Sequence, residues 1–495
     1  QLKDGKVLVM FDGLDEVFDP GKREDVITDI HRFTNDYPKV IVIVTSRVIG
    51  YKPQRLRDAK FRHLMLQDLE SEQIQTFIED WHNLTFTDTD QADKVRKRER
   101  LQKAIETSSP IRQLAVNPLL LTMMAILNRN QDLPRDRSEL YKQCSWLLLH
   151  QWDVGRLLLE DQRIYQAYLD PKDKQQMLGK IAYFMQKNQV RLAENTISLN
   201  DLKTIIINEL KVREVTNTRE VAHVMIDQLR TRNFIFCLMG VDSYAFVHRT
   251  FLEYFCAWEF VRKFEKTQDI SLEQLKKEVF GKHWQDESWH EVLRLIVGMI
   301  DCNKAGKILE YLMAQDGKDN KFDNLFLAGN CLSEIRNRYE IKSTDTGLLN
   351  CLKDLIQNDK NRNTLSNIRT QAVEAIATHW QDHQYTLPQL KEWARSDTDW
   401  LVRVTAIEQL AQGWHNQPWL WEFLRDRTLN DPFERKESLD KNPRQIALNA
   451  ILEYYPNHSQ TPSLLQDRAE HDSDPELQKF AQEELATLDA KANRE

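Results

Sequence analysis

The sequence lacks several features that mark common classes of protein. No apolar run reaches 18 residues, the length that a membrane-spanning helix needs, so we expect no membrane span. The six cysteines are scattered and form no C-x-x-C motif, so they are expected to be reduced core residues of a cytoplasmic protein. Glycine and proline number only 14 each, which favours a mostly helical chain.

Positive charge is also scarce. The chain carries 68 Lys and Arg against 76 Asp and Glu, a formal net charge of −8. This balance gives no support to general nucleic-acid binding, although it leaves a local basic patch open. The length of 495 residues predicts about two to four domains.

The most informative stretch is Val7–Glu16, VLVMFDGLDE. Its apolar run predicts a buried parallel strand that delivers Asp12 to its carboxyl end, with Asp15 and Glu16 close behind. In an open α/β sheet, carboxylates at this edge typically serve Mg²⁺ and a nucleotide phosphate. The first acid can hold Mg²⁺, and the later pair can polarise a water. The alternative is a buried strand that runs into an ordinary acidic turn.

A second strand is predicted over Lys39–Arg47, after a helix-like stretch at about 23–36. Strand, helix and strand form a βαβ unit, so the polar end of this strand should arrive at the same sheet edge as Asp12. Arg47 would then bind a γ-phosphate or pair with Asp15 or Glu16. Its alternative is a cation that faces solvent after a strand.

The phosphate-cradling pattern G-x-x-x-x-G-K-[ST] occurs nowhere in the chain. Either the sequence is a C-terminal fragment whose phosphate loop lies upstream, or the site is degenerate. The fragment is the preferred expectation, because Gln1 is not an initiating methionine and the first strand begins within a few residues of it.

These motifs together resemble a known family. Phe11–Glu16 resembles the extended Walker B motif of the NACHT-family signal-transduction ATPases, the STAND class of P-loop NTPases, and Thr45–Arg47 resembles their sensor 1 strand. Further segments follow in the family's order over roughly residues 1–265. His63–Trp81 is similar to the strand and first helix that lead into the small helical domain, Asn117–Leu127 to the helix whose proline packs on adenine, Leu133–Tyr141 to the entry of the winged helix, and Phe246–Phe255 to the winged-helix segment whose histidine touches the nucleotide.

The resemblance implies ATP or ADP with Mg²⁺ as cofactors. It implies that Asp12 organises Mg²⁺, that Asp15 and Glu16 activate water, and that Arg47 senses the γ-phosphate. These roles make the protein a probable ATPase in its full-length form, whereas the fragment alone is expected to be inactive.

Two further residues are implied to bind the nucleotide. Pro118 would contact the adenine, although a proline in the first turn of a helix is also explained by its missing N–H. His248 would donate to a β-phosphate oxygen of ADP in the resting state. The alternative for His248 is a structural hydrogen bond, and Arg249 beside it would support the same anion or face solvent.

Residues 141–240 predict helices at 140–152, 175–188 and 219–230, then a β-hairpin formed by 234–239 and 244–247. Helices followed by a hairpin match a winged helix. No basic recognition helix is evident, which argues against nucleic-acid binding by this part.

The C-terminal part contains a faint repeat. The helix-like segments 369–380 and 403–414 align at an offset of 34 residues, and 444–452 and 478–485 continue the pattern at the same offset. This resembles HEAT-type repeats, in which each helix pair buries its apolar face by stacking on the next. Six of the twelve tryptophans fall between Trp380 and Trp421 and form either the core between repeats or an aromatic binding surface.

The predicted fold class is mostly α with an N-terminal α/β part: a partial P-loop NTPase parallel sheet, a helical domain, a winged helix and a C-terminal α-solenoid. The predicted domains are 1–66, the C-terminal half of the nucleotide-binding domain; 67–138, the helical domain; 139–265, the winged helix; 266–360, a helical linker or the start of the solenoid; and 361–495, the HEAT-like repeats.

The resemblance implies a nucleotide-switched signalling ATPase. A trigger ligand, protein or nucleic acid, would bind the repeats, and the open form would become a homo-oligomer that activates an upstream effector, with a role in bacterial antiphage defence. The alternatives are a non-hydrolysing scaffold that acts through its repeats and a transcription regulator of related architecture.

Overall fold

The computed structural model describes residues 1–14, 17, 20–46, 56, 61–86, 91–151, 169–188, 196–240, 242–357, 366–437 and 440–492. The chain divides into two compact units, Gln1–Asp301 and Cys302–Glu495.

The first unit begins with a βαβ arrangement, as the sequence predicted. Strand β1 (Leu8–Phe11) and strand β2 (Ile41–Val44) pair in parallel, with Leu8 opposite Ile41 and Phe11 opposite Val44. Helix α1 (Pro20–Asp36) connects them. One side of this layer packs on a small core of Leu14, Ile27, Ile30 and Leu56.

The opposite face of the two strands is apolar and open. Leu8, Met10, Ile41 and Ile43 alternate along the strands and are 44–68% exposed. Parallel sheets normally have both faces covered, because strands of this composition gain their stability from burial on both sides.

The segment 61–70 differs from expectation. A strand was expected at the start of His63–Trp81, but residues 61–70 have no regular secondary structure. Leu64 and Leu66 are 88% and 100% exposed, and none of the described strands pairs with this segment. An apolar segment needs a neighbouring strand to satisfy its backbone groups, so propensity alone does not produce a strand here.

A helical segment follows, whose chain ends are capped by side chains. The Ser108 hydroxyl accepts from the Ile111 N–H, and the Asn117 side chain accepts from the N–H groups of Leu119 and Leu120. The helices are α2 (Ser71–Thr85), α3 (Gln91–Thr107), α4 (Ser109–Ala115) and α5 (Pro118–Asn128).

The winged-helix part combines helices with a small antiparallel sheet in the order β3-β5-β4. The hairpin predicted at 234–247 is present, because β4 and β5 pair with Phe236 opposite Phe246. The three predicted helices are also present, whereas α8 was not predicted. The elements are α6 (Arg137–Trp146), a π-helical turn (Leu147–Gln151), α7 (Pro171–Lys187), β3 (Ile197–Ser198), α8 (Leu199–Val212), α9 (Thr218–Thr231), β4 (Phe236–Gly240), β5 (Ser243–Phe246) and α10 (Arg249–Val261).

The first unit continues to α11 (Glu287–Met299), which packs against α10. Between them lie the π-helical turn Arg262–Lys266 and a short helical stretch, Leu272–His283. A side-chain ion pair between Arg137 and Glu291 ties α11 to the first helix of the winged-helix part. The compact unit therefore extends to Asp301.

The second unit consists of helices in its described part. Helix α16 packs against α17, α18 against α19 and α20 against α21, while α15 contacts α17 and α17 contacts α19. The helices are α12 (Cys302–Met313), α13 (Asp323–Leu332), α14 (Lys342–Gln357), α15 (Ser366–His379), α16 (Thr386–Ser396), α17 (Trp400–Trp414), α18 (Leu420–Asn430), α19 (Pro443–Tyr454), α20 (Thr461–His471) and α21 (Pro475–Ala492), with short 3₁₀ turns at Lys318–Asn320 and Arg338–Ile341.

The sequence repeat has a structural counterpart in this unit. All four repeated segments lie within helices, and α15 and α17 begin 34 residues apart, as do α16 and α18. Of the six clustered tryptophans, Trp380, Trp393 and Trp421 are at most 7% exposed, which assigns these three to the core between helices.

Candidate nucleotide site

Asp12 lies where β1 ends, beside the end of β2. Its Oδ1 accepts a short hydrogen bond from the Thr45 hydroxyl, and the same hydroxyl accepts from the Gly13 N–H at 2.9 Å. The Thr45 backbone continues this contact, because its carbonyl accepts from the Leu14 N–H at 2.9 Å. Gly13 has φ +72°, a left-handed conformation that side chains disfavour. The structure thus confirms that the ends of the two strands bring Asp12 and Thr45 together.

Asp15, Glu16 and Arg47 lie outside the described residues, so their predicted roles stay predictions. Among the described residues, no group of three or more His, Cys, Asp or Glu side chains is arranged to hold a metal ion. Asp12 itself is exposed, and the hydroxyl on its Oδ1 would orient the carboxylate in the way that outer partners orient metal-binding carboxylates. Asp12 therefore fits the role of one oxygen ligand to Mg²⁺.

Pro118 is the first residue of α5, and Asn117 caps that helix. The Asn117 Oδ1 accepts from Leu119 N and Leu120 N at 3.0 and 3.1 Å. Pro118 is exposed at this end, where its missing N–H leaves no helical hydrogen bond unmade.

His248 precedes α10 and contacts the Asn117 side chain. The distance between His248 Nε2 and Asn117 Nδ2 is 2.7 Å, and His248 Nδ1 lies 2.9 Å from Thr250 Oγ1. Burial lowers the pKa of His248, and the nearby Asp68 carboxylate partly opposes that effect. The structure thus brings His248 and the residue preceding Pro118 together across 131 positions of sequence.

Arg249 does not face solvent freely. Its Nε donates to Glu253 Oε1 at 2.7 Å, and its Nη2 donates to the Ser288 carbonyl at 3.2 Å. Burial, reinforced by the nearby Glu291 carboxylate, raises the pKa of Glu253 to about 7. Arg249 therefore serves an ion pair within the winged-helix part.

No hydrogen bond joins the pair Asp12–Thr45 to the pair Asn117–His248 among the described residues. Sequence reasoning identified three of these four side chains within motifs, but it assigned no role to Asn117. The signal was present: asparagine before a helix-starting proline is a strong N-cap. Nothing local, however, pointed to His248 as its partner.

The described elements define a chain that combines a parallel βαβ layer, a winged helix and a second, helical unit. Residues 137–260 match the family model described as the winged helix-turn-helix domain C-terminal to NACHT. This match confirms the predicted winged helix, supports membership of the NACHT family and indicates a signalling protein of the STAND type. No curated protein matches the chain. None of the described helices is long and apolar enough to cross a membrane.

Proposed function

We propose that this protein is a nucleotide-switched signalling ATPase whose winged helix responds to bound ADP or ATP. The observation that carries the proposal is the match of residues 137–260 to the NACHT-associated winged helix. Within that match, His248 lies at the N-terminus of α10 and contacts Asn117, next to Pro118. The two residues proposed to bind the nucleotide, Pro118 and His248, therefore lie close together.

The βαβ layer supports the catalytic half of the proposal. Asp12 at the carboxyl end of β1 would hold Mg²⁺, which neutralises phosphate charge when it is bound. Asp15 and Glu16 would activate water, and Arg47 would bind the γ-phosphate. The open apolar face of β1 and β2 favours a larger sheet, and we propose that the phosphate-binding loop comes from a segment outside the 495 residues.

The second unit would supply the trigger. We propose that its helices form HEAT-like repeats that bind a ligand, and that the ATP-bound form becomes a homo-oligomer and activates an effector, as in antiphage defence. A near-complete switch requires that the trigger favour the open form by about 5 kcal/mol.

Nucleotide analysis of the natural gene product tests this proposal. The protein is purified without added nucleotide and denatured, and the released nucleotide is identified by chromatography. We expect about one ADP per chain, less ADP in His248→Ala, and retention in His223→Ala, which changes a histidine elsewhere in the winged helix. Absence of nucleotide, together with no binding of added ADP or ATP with Mg²⁺, would overturn the proposal.

A binding scaffold is the second candidate. The observation that favours it is the absence of a phosphate-loop pattern from the 495 residues. The same nucleotide analysis separates the two candidates, because a scaffold that acts only through its helices retains no ADP.

A further inference from the structure

The hydrogen bond between Asn117 and His248 joins the starts of two helices that are distant in sequence. Asn117 is the N-cap of α5, and His248 is the N-cap of α10. Their side-chain nitrogens lie 2.7 Å apart, which is short for a hydrogen bond between nitrogens. The contact therefore links the helical segment to the winged-helix part by one well-formed bond.

The remaining contacts of Asn117 determine which group donates. Its Oδ1 already accepts from the N–H groups of Leu119 and Leu120, so the amide oxygen faces α5. The reversed amide would direct its NH₂ at two N–H donors, which is unfavourable. Asn117 therefore presents its NH₂ to His248, and His248 Nε2 accepts through its lone pair.

The tautomer of His248 follows from this direction. A neutral imidazole whose Nε2 is an acceptor carries its proton on Nδ1. That proton is donated to Thr250 Oγ1, 2.9 Å away. The Thr250 N–H, at 3.3 Å from Nδ1, is the weaker contact and is not a hydrogen bond in this tautomer.

We infer that Asn117 is a positioning residue that holds His248 in the Nδ1–H tautomer, so that His248 binds an anionic oxygen through Nε2 only after the Asn117 amide has left. A phosphate oxygen accepts hydrogen bonds, so Nε2 must carry a proton to bind it. A protonated Nε2 and the Asn117 NH₂ are both donors and exclude each other. The consequence for ADP rests on the proposed function, whereas the tautomer does not.

The charged surroundings keep this arrangement intact near neutral pH. Burial lowers the pKa of His248, and Asp68, from the segment before α2, acts against it. Arg249 directs its guanidinium to Glu253 and the Ser288 carbonyl, and the first turn of α5 contains no titratable residue. As the pH falls below 6.5 through the lowered pKa, a proton arrives at Nε2 and displaces the Asn117 amide, as an anion would require.

Histidine-selective ¹⁵N NMR of the full chain tests the positioning role without nucleotide. The His248 signals are assigned by comparison with His248→Gln. The wild type should show protonated Nδ1 and unprotonated Nε2. Asn117→Asp retains the cap but offers a carboxylate to Nε2, so Nε2 should become protonated and the titration midpoint should rise by about 1–2 pH units. Asn117→Ser also caps α5 but is too short to reach His248, and the preference for Nδ1–H should disappear.

Two results would overturn the inference: an Nε2–H tautomer in the wild type, or unchanged His248 signals in both Asn117 variants. A second arm adds ADP to the natural gene product and follows the Asn117 side-chain amide. The amide signal should move as Nε2 becomes protonated. Bound ADP with an unchanged Asn117–His248 bond would refute the exclusion, while failure of ADP to bind would refute the proposed function and leave the tautomer result standing.

Discussion

Arg403 and Asp431 form a buried bidentate ion pair, with Arg403 Nε and Nη2 at 2.8 and 2.9 Å from the two carboxylate oxygens. The same pairing occurs between Arg369 and Asp397 and between Arg444 and Asp472, each time across 28 residues. In every case the arginine lies near the start of one helix, and the aspartate directly follows a later helix. The repeat of the sequence is therefore also a repeat of contacts between successive helices.

We predict that Arg403→Met destabilises the protein by about 3–5 kcal/mol, because it leaves the Asp431 carboxylate buried without its partner. The measurement is denaturant unfolding followed by tryptophan fluorescence, since six tryptophans lie between Trp380 and Trp421. Arg425→Met is the matched control: its exposed ion pair with Glu422 should be worth less than about 1 kcal/mol. Equal effects of the two substitutions would contradict the structural role of the repeated pairs.

We predict that Thr45→Val weakens the N-terminal layer, whereas Thr45→Ser does not. Valine has nearly the same shape as threonine but lacks the hydroxyl that joins Gly13 N–H to the Asp12 carboxylate. The loss should amount to about 1–3 kcal/mol of local stability. Hydrogen exchange of the amides of β1 and β2 measures it, and identical protection in the valine and serine variants would show that the hydroxyl is unimportant.

We predict that Glu253 makes the folded protein less stable as the pH rises. Its folded-state pKa, about 7, lies above the ordinary value of 4.5, so its favourable contribution is complete below about 4.5 and is lost as the pH rises through 7. The difference corresponds to at most about 3 kcal/mol. Thermal unfolding between pH 4.5 and 8 should show a smaller decline for Glu253→Gln than for the wild type. The exposed control Glu79→Gln should retain the wild-type decline, and parallel curves for all three proteins would disprove the assignment.

We predict that Asp12→Asn lowers Mg²⁺-dependent hydrolysis of ATP by the natural gene product by at least about 100-fold, because an amide is a weaker Mg²⁺ ligand than a carboxylate. Initial rates at several Mg²⁺ concentrations measure the effect. Asp4→Asn, at an exposed acid outside the strand, should leave the rate unchanged. Equal rates in wild type and Asp12→Asn would remove Asp12 from the proposed metal site.

Local patterns predicted most of the elements, but they were wrong where a strand needed a partner. The apolar runs of β1 and β2 and the hairpin Phe236–Phe246 were recognised because each is both apolar and paired with another strand. Residues 63–67 are equally apolar, yet none of the described strands pairs with them. Backbone hydrogen bonds between strands are a property of two segments, so one segment alone does not decide them.

The sequence by itself determined the helices, the parallel βαβ layer, the winged-helix hairpin and the 34-residue period, because these follow from hydrophobic spacing and chain-end residues over short distances. Only the tertiary structure decided that Asn117 contacts His248, that Thr45 orients Asp12 and that Arg403 pairs with Asp431. These contacts join residues 28 to 131 positions apart. Their partners depend on how whole helices and strands pack, and no local pattern encodes that packing.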